Sequence, residues 1–390
     1  MVRLLLLALL LTAILPLTAE AQNVISGTVY DETATTVPGA HVFLNGTTYG
    51  TLTDKNGSFE LDDVPDGVYQ LVVKFLGYKD FFLQINTASG AAPLKIQLEE
   101  DVYAMEEITV VSDRKQWKKQ FEIFEDHFLG TSRNAKDSEI LNPEVLSFDE
   151  APNTGILTAE AEQSLRIRND ALGYRIEFYL KHFSFDPRND VSSYFGFPIF
   201  TEMSSNRRRK NRRWNRNREE TYRGSFEHFV STLIEGTYDE NGYEIRAEMR
   251  KTQEELNQDN VQPSEIGSRY HRQKIIGGGA RYLSRDTIRV ADIFSRVDDQ
   301  TYELRFVNYL NVTYTKEKES YEYRKWDQGM LAERDPEITF PQNSILTLTS
   351  DSLLIHKSGY IYDPTNYMVG GYWAFHRLAD LIPINFKIQD

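Results

Sequence analysis

The 390-residue chain contains no cysteine. That absence excludes disulfides, a thiol nucleophile, a thiolate metal site and a lipid-accepting cysteine behind a leader, so stability has to come from packed cores. Histidine is scarce, at seven residues, and none is followed three positions later by glutamate, so the His-x-x-Glu zinc pair of a metallocarboxypeptidase is missing. Neither an H-E-x-x-H zinc helix nor a G-x-S-x-G nucleophile elbow occurs. Cations are in deficit: 44 Lys and Arg against 58 Asp and Glu leave a net charge of −14. A nucleic-acid binder must neutralise phosphates with clustered cations, so general nucleic-acid binding is not expected. After residue 18 no segment is apolar enough to span a bilayer as a helix.

What the chain does have begins with Met1-Val2-Arg3, an apolar stretch from Leu4 to Thr18, and Ala19-Glu20-Ala21. A basic start, a short apolar core and small residues at an A-x-A site predict a signal peptide over residues 1–21, cut before Gln22. Pro16 and Glu20 limit the run to ~15 residues, short of the ~20 that a membrane span needs. The mature chain is therefore expected to be exported and to carry no transmembrane segment.

Residues 22–100 read as a small antiparallel sandwich. Tyr69, Leu71, Val73 and Phe75 alternate with polar neighbours, and turn residues punctuate at short intervals, as in Asp54-Lys55-Asn56-Gly57 and Val64-Pro65-Asp66-Gly67. Asp54 to Gly57 lacks the later acidic ligand of a calcium loop, so it reads as a turn with Gly57 at positive φ. His41, in the strand Gly39 to Leu44, reads as a cross-strand surface residue. With the Gly27-Thr28-Val29 opening and the Thr53 to Phe59 turn block, this stretch resembles the carboxypeptidase regulatory-like domain of Bacteroidetes envelope proteins. That resemblance implies a seven-stranded transthyretin-like sandwich, and a place in the periplasm or at the periphery of the outer membrane. It brings no activity with it.

Residues 101–112 read as a linker or edge strand. In outer-membrane importers of the same bacteria a segment similar to Glu106-Glu107-Ile108-Thr109-Val110-Val111 leads into a plug and barrel, but the ~280 residues that follow here are too few for a 22-stranded barrel. Residues 113–390 predict a larger antiparallel-sheet domain with a few helices, a mainly β chain with α+β character. Trp117, Phe121, Phe124 and Phe128 fall on one face of a helix that Gly130 ends. A short helix is expected around Asn142 to Leu146, with Pro143 in its first turn. Strands are expected over 156–161, 165–168, 174–185, 194–200, 243–249, 302–306 and 310–314. Stretches such as Phe128-Leu129-Gly130-Thr131-Ser132 and Gly370-Gly371-Tyr372-Trp373 resemble the C-terminal region of Bacteroidetes envelope proteins that pair with this sandwich. The likeness implies shared architecture and supplies no functional residues.

One segment breaks the acidic trend. Arg207, Arg208, Arg209, Lys210, Arg212, Arg213, Arg216 and Arg218 place eight cations within twelve residues, with Trp214 among them. Trp214, Arg218, Tyr222, Phe226, Phe229 and Leu233 keep helical spacing, which predicts one helix from about Asn206 to Glu235. Two readings follow. In one, the cations and a stacking Trp214 form an anion-binding surface for an acidic glycan or lipid head group. In the other, they are solvated or pair with acids of the same chain.

No residue set points to a catalytic, cofactor or metal site. Gly277-Gly278-Gly279 has no βαβ frame and reads as a hairpin or bulge. His228 and His376, each beside an aromatic, are the histidines to inspect. Asp286-Thr287-Ile288 and Asp351-Ser352-Leu353 resemble the acceptor sequence of Bacteroidetes O-glycosylation, which would put Thr287 and Ser352 on exposed turns. The expected function is non-catalytic binding or scaffolding at the envelope, with another envelope protein or an anionic glycan or lipid head group as partner. A hydrolase with paired carboxylates in the second domain and a carbohydrate-binding accessory protein are the alternatives.

Overall fold

The computed structural model describes residues 23–89, 92–101, 114–252, 254–255, 269–274, 279–329, 337 and 339–388. The expected signal peptide, Gln22, the segment Glu106 to Val111 and Gly277-Gly278 lie outside these residues.

The alternating stretch forms strands β1 Asn23–Tyr30, β2 His41–Leu44, β3 Gly50–Leu52, β4 Ser58–Val64, β5 Val68–Lys74, β6 Phe81–Asn86 and β7 Leu94–Gln97. They make two sheets, β4-β1-β7 and β3-β2-β5-β6, with β1 antiparallel to β4 and parallel to β7. Alternate residues point between the sheets, so Ile25, Val29, Val42, Leu61, Leu71, Val73 and Ile96 share one core. At the β3–β4 turn Asp54 Oδ1 accepts from the Asn56 and Ser58 amides at 2.8 and 2.9 Å, and Gly57 takes φ +73°. Those bonds commit the carboxylate to the turn.

The next lobe contains α1 Arg114–Phe128, α2 Arg133–Lys136, β8 Ser138–Ile140, β9 Leu146–Glu150, β10 Leu157–Ala161, β11 Leu165–Asn169, β12 Tyr174–Asp186 and β13 Val191–Glu202. Its sheet runs β8-β11-β12-β10-β9, with β13 paired along β12. The expected Asn142 to Leu146 helix is a single 3-10 turn, Pro143–Val145. The aromatic face of α1 lies on this sheet, with Phe124 4.6 Å from Phe183 and Phe128 edge-on to Phe178 at 5.0 Å.

A third core forms around α3 Arg208–Tyr222, α4 Phe226–Glu235, β14 Tyr243–Lys251, β15 Tyr270–Lys274, β16 Ala280–Thr287, β17 Phe294–Arg296, β18 Thr301–Leu304, β19 Tyr309–Lys318, α5 Tyr321–Gln328, β20 Pro341–Leu348, β21 Leu353–His356, β22 Tyr367–Gly371 and α6 Tyr372–Phe375. The sheets are β15-β16-β14-β19-β20-β22 and β17-β18-β21. Phe229 and Leu233 of α4 meet Tyr243, Val312, Leu346 and Trp373 in this core.

The single helix expected from Asn206 to Glu235 is instead two. Gly224 sits between α3 and α4 at φ +79°, a conformation open to glycine at little cost. Ser225 then caps α4 by accepting from the His228 amide at 3.1 Å, and the Gly224 carbonyl accepts from Trp373 Nε1 at 2.8 Å. The aromatic spacing runs on across the break because Phe226 and Phe229 continue into a core on the same side.

The outer face of the β3-β2-β5-β6 sheet packs on β12 and β13. Phe43 and Val72 meet Phe197 and Ile199, and Phe43 stacks on Tyr179 at 5.4 Å. Backbone bonds cross the seam, from Gly46 N to Pro198 O at 2.8 Å and from Phe200 N to Thr47 O at 2.9 Å. His41, expected at the free surface, belongs to this interface: its Nδ1 lies 2.7 Å from the Tyr179 hydroxyl, and burial lowers its pKa against the pull of Glu177. Asp80 lies between Lys74 and Lys181. Burial pushes its carboxyl up, and hydrogen bonds from the two lysines more than offset that, holding it below its ordinary value.

Alanine at Gly224 would take a left-handed backbone and set its Cβ 2.5 Å from Gln342 Oε1. Gly224→Ala is expected to cost about 2 kcal/mol, read as a lower midpoint in chemical unfolding. An unchanged midpoint would show that the break between α3 and α4 is not required.

Candidate functional site

Helix α3 is amphipathic in an unusual sense, with a basic end and a buried grip. Arg207 is its N-cap residue and makes no side-chain capping bond. Cations in a first turn oppose the helix dipole, so the helix is not stabilised by its own sequence at this end. Docking supplies what is missing. Trp214 is buried against Gly173, whose Cβ position is 2.4 Å from the indole, and its Nε1 donates to the Asp170 carbonyl at 2.9 Å. Asn217 donates to the Ala171 carbonyl at 2.8 Å. Arg218, only 5% exposed, donates to the Leu172 and Gly173 carbonyls at 2.7 and 3.1 Å and to Glu202 at 3.0 Å. Its guanidinium lies over the Tyr174 ring, 4.0 Å from the centroid. Successive turns of α3 thus grip the 170–173 turn that joins β11 to β12.

The expected basic residues therefore divide into two groups. Trp214 and Arg218 are anchors inside the protein and do not take part in an exposed anion-binding stack, because both are buried and hydrogen-bonded to turn carbonyls, Arg218 also to Glu202. Lys210 sits 3.6 Å from Asp170 and over the Trp214 ring, Arg213 reaches the Asp170 carbonyl at 3.4 Å, and Arg216 pairs with Glu220 at 3.6 Å. Arg207, Arg208, Arg209 and Arg212 are exposed, and no side-chain partner for them occurs among the described residues. Arg207, Arg209, Lys210, Arg212, Arg213 and Arg216 line one shallow concavity.

At its other end α3 borders a polar cleft of about 300 Å³, closed by α2, the start of α5, the start of β20, and α6 with the turn after it. Four carboxylates line it: Glu220, Glu317, Glu322 and Asp380. Glu322 is paired with Lys136 at 3.0 Å, and Glu220 with Arg216. Burial raises the pKa of Glu317, whose Oε2 accepts from Gln342 at 3.2 Å. Asp380 is nearly buried, and its Oδ1 accepts from Ser132 Oγ at 3.0 Å and Asn134 Nδ2 at 2.9 Å. No sequence motif joins these residues, so the cleft was not found from the sequence.

Of the histidines singled out, His228 is structural. Its Nδ1 accepts from the Gly224 amide at 3.2 Å and lies 2.8 Å from the Tyr243 hydroxyl. Burial, helped by the charge of Arg223, lowers its pKa to about 4. His376 borders the cleft and packs edge-on to Tyr372 at 5.0 Å. Thr287 is exposed at the end of β16, and Ser352 is half-buried in the bend before β21. Among the described residues no group of three or more metal-ligating side chains comes together. No helix of the described residues is long and apolar enough to cross a membrane.

The sandwich at the N-terminal side has the strand count and pairing set out above, and residues 25–110 match the family pattern of the CarboxypepD_reg-like domain. Residues 25–110 are such a domain. The chain is 31% identical over 178 residues to the TonB-dependent receptor SusC of Bacteroides thetaiotaomicron, covering 43% of this chain and 17% of the receptor. This chain thus matches about a sixth of that receptor's length. Among solved structures, a cohesin–X-dockerin complex from Acetivibrio cellulolyticus is 27% identical over 20% of this chain and 51% of that one, with a TM-score of 0.16. A putative membrane-associated protein from Bacteroides fragilis is 12% identical, covers 90% of this chain and 94% of that one, and has a TM-score of 0.17. Scores this low establish no common fold.

The two groups of arginines respond differently to loss of charge. Arg218→Gln is expected to destabilise by about 3 kcal/mol, because carbonyls and Glu202 lose buried donors. Gln at Arg208 or Arg209 is expected to stay within about 0.5 kcal/mol of the wild type. Thermal unfolding of the three variants checks this, and equal midpoints would refute the division. For His228 the folded pKa lies below the unfolded value of about 6.5, so the unfolded state binds the extra proton between pH ~6.5 and ~4. Its contribution is whole above pH ~6.5 and falls as pH drops toward ~4. His228→Gln is expected to flatten that part of the stability profile, measured by urea unfolding at a series of pH values.

Proposed function

We propose that this protein is a non-catalytic binding protein of the bacterial envelope that docks on a phosphate-bearing anionic surface through Arg207, Arg208, Arg209 and Arg212. The observation that carries the reading is that these four guanidinium groups are exposed, with no side-chain partner among the described residues, at the end of a rigidly anchored helix. A solvated surface chain commonly finds an acid on a protein with this much negative charge, as Lys210 and Arg216 do. Guanidinium groups suit phosphate oxygens because their planar fork donates two parallel hydrogen bonds. Similarity to a TonB-dependent receptor and the CarboxypepD_reg-like domain support an envelope setting. The predicted signal peptide agrees with it.

Each cation held near an anionic membrane contributes about 1 kcal/mol, so four together amount to roughly a hundred- to a thousandfold in affinity. Sedimentation with vesicles of phosphatidylglycerol and phosphatidylcholine is the direct test. The wild type is expected to pellet with the anionic vesicles at low salt, to stay in solution with the zwitterionic ones, and to lose binding as ionic strength rises. A variant with Gln at positions 207, 208, 209 and 212 should keep the wild-type unfolding midpoint and stay in solution. Equal pelleting of both proteins would reject the basic face, and binding by neither would reject the anionic surface as partner.

A further inference from the structure

Strand β6 is an outer strand of the β3-β2-β5-β6 sheet, and among the described residues no strand pairs with its far side. Its register with β5 is unbroken. At the end of this ladder Thr87 N donates to Gly67 O at 3.0 Å, and on the β2 side Asn45 N donates to Gln70 O at 2.9 Å. Bonds alternate along an antiparallel pair, so Phe81, Leu83 and Ile85 bond β5, while the N–H and C=O groups of Phe82, Gln84 and Asn86 point away from it. A row of unpaired backbone groups is a template for another strand.

Such edges are usually blunted, and several edges of this protein are. β4 carries Glu60, Asp62 and Asp63, and β13 contains Pro198 and bonds the 46–47 turn. β6 reads Phe-Phe-Leu-Gln-Ile-Asn, with no charge, proline or bulge. The charges just before it are met, Lys79 by Glu99 and Asp80 by Lys74 and Lys181. Its apolar side chains are only partly covered. Phe81, Leu83 and Ile85 border the sandwich core and stay half-buried. Phe82, 41% exposed, continues the seam between sandwich and body by meeting Phe197 at 4.8 Å.

A second copy supplies the matching strand. With Gln84 on a two-fold axis, antiparallel pairing of β6 with itself sets Phe82 opposite Asn86 of the partner subunit and Gln84 opposite its own copy. The outward groups of both strands then join in about six backbone hydrogen bonds. No like charges face each other, and the half-buried apolar residues of the two edges meet. Symmetry about Gln84 is what a contact between identical surfaces requires. We propose that this protein self-associates through β6, forming one continuous sheet across the axis. The pairing is closed, because it uses β6 of both copies, and β3 at the sheet's other edge is three residues long with Gly50 against Ile199. One short strand from each copy keeps the contact below about 1,200 Å², the range of weak, reversible associations. Nothing in the pairing depends on the basic face.

Sedimentation velocity of the full mature chain, run from micromolar to millimolar concentration, reads the association. About 0.15 M salt screens the repulsion between chains of net charge −14 beyond about 8 Å. Monomer is expected to convert to dimer over the series. Gln84→Lys and Gln84→Glu each put like charges face to face, so each is expected to weaken the dimer about fivefold at an unchanged unfolding midpoint, and an equimolar mixture of the two to restore it. The chain has no cysteine, so Gln84→Cys supplies a single thiol. Its Cα would lie about 5.5 Å from that of its copy, and a short bismaleimide is expected to link the two. Asp62→Cys, exposed on β4, is expected to stay unlinked. Should the charge variants fail to fold, the linking of Gln84→Cys decides. A chain that stays monomeric throughout, a dimer that neither charge variant weakens, or equal linking of Gln84→Cys and Asp62→Cys would each overturn the proposal.

Discussion

Burial of the Arg218 guanidinium is the constraint on which the placement of helix α3 depends. A charge withdrawn from water costs several kcal/mol unless its donors are met. Here two neighbouring backbone carbonyls, Glu202 and the face of Tyr174 meet them. Lysine could not substitute, because a single ammonium cannot span two successive carbonyls and stack on a ring at once. The carbonyls belong to a turn whose Gly173 is at φ +73° and under the Trp214 ring, so turn and helix fix each other. From this one joint α3 extends in both directions. Its N-terminal end carries the arginines that have no side-chain partner among the described residues, and its last turns wall the cleft.

A second joint sets how the CarboxypepD_reg-like domain sits. Its core is complete without help, yet Phe43 and Val72 on its outer face would be exposed apolar surface if β12 and β13 were absent. The chain closes this seam from both sides. Backbone bonds link the 46–47 turn to β13, the Ile384 amide donates to the Gly46 carbonyl at 2.9 Å, and Asn385 bonds Thr48 through backbone and side chain. Residues close to the end of the described chain thus hold a turn of its first domain. The sandwich is consequently a packed part of the body rather than a module on a tether.

Legibility followed the range of the signal. Strand alternation and turn residues are local, so the sandwich character of the first domain, helix α1 and strands such as β12, β14 and β19 were readable from spacing, while the count of seven strands came with the family resemblance. The break at Gly224 was hidden because Tyr222, Phe226 and Phe229 keep helical spacing on both sides of it, and a single glycine inside a periodic run looks tolerable. Arg218 read as one cation among eight, since its partners are carbonyls 45 and 46 residues away that carry no side-chain signature. The cleft was wholly illegible. Ser132 and Asp380 meet across 248 residues, and no motif joins them.

The arginine end also resolves an apparent conflict in the charge of the chain. A net charge of −14 opposes approach to any anionic surface when viewed from afar. Screening limits that opposition, because at physiological salt the field of a solvent-exposed charge fades over about 8 Å. A patch is then judged by its own charges and not by the total. Arg207, Arg208, Arg209 and Arg212 project together from the start of α3, while acids such as Asp170 and Glu220 are tied to the cations behind them. The excess negative charge elsewhere adds direction: any orientation that turns the acidic bulk toward an anionic surface is repelled at contact distance. The docking proposed above would then be end-on along α3, with the cleft at the opposite end of that helix left open to solvent.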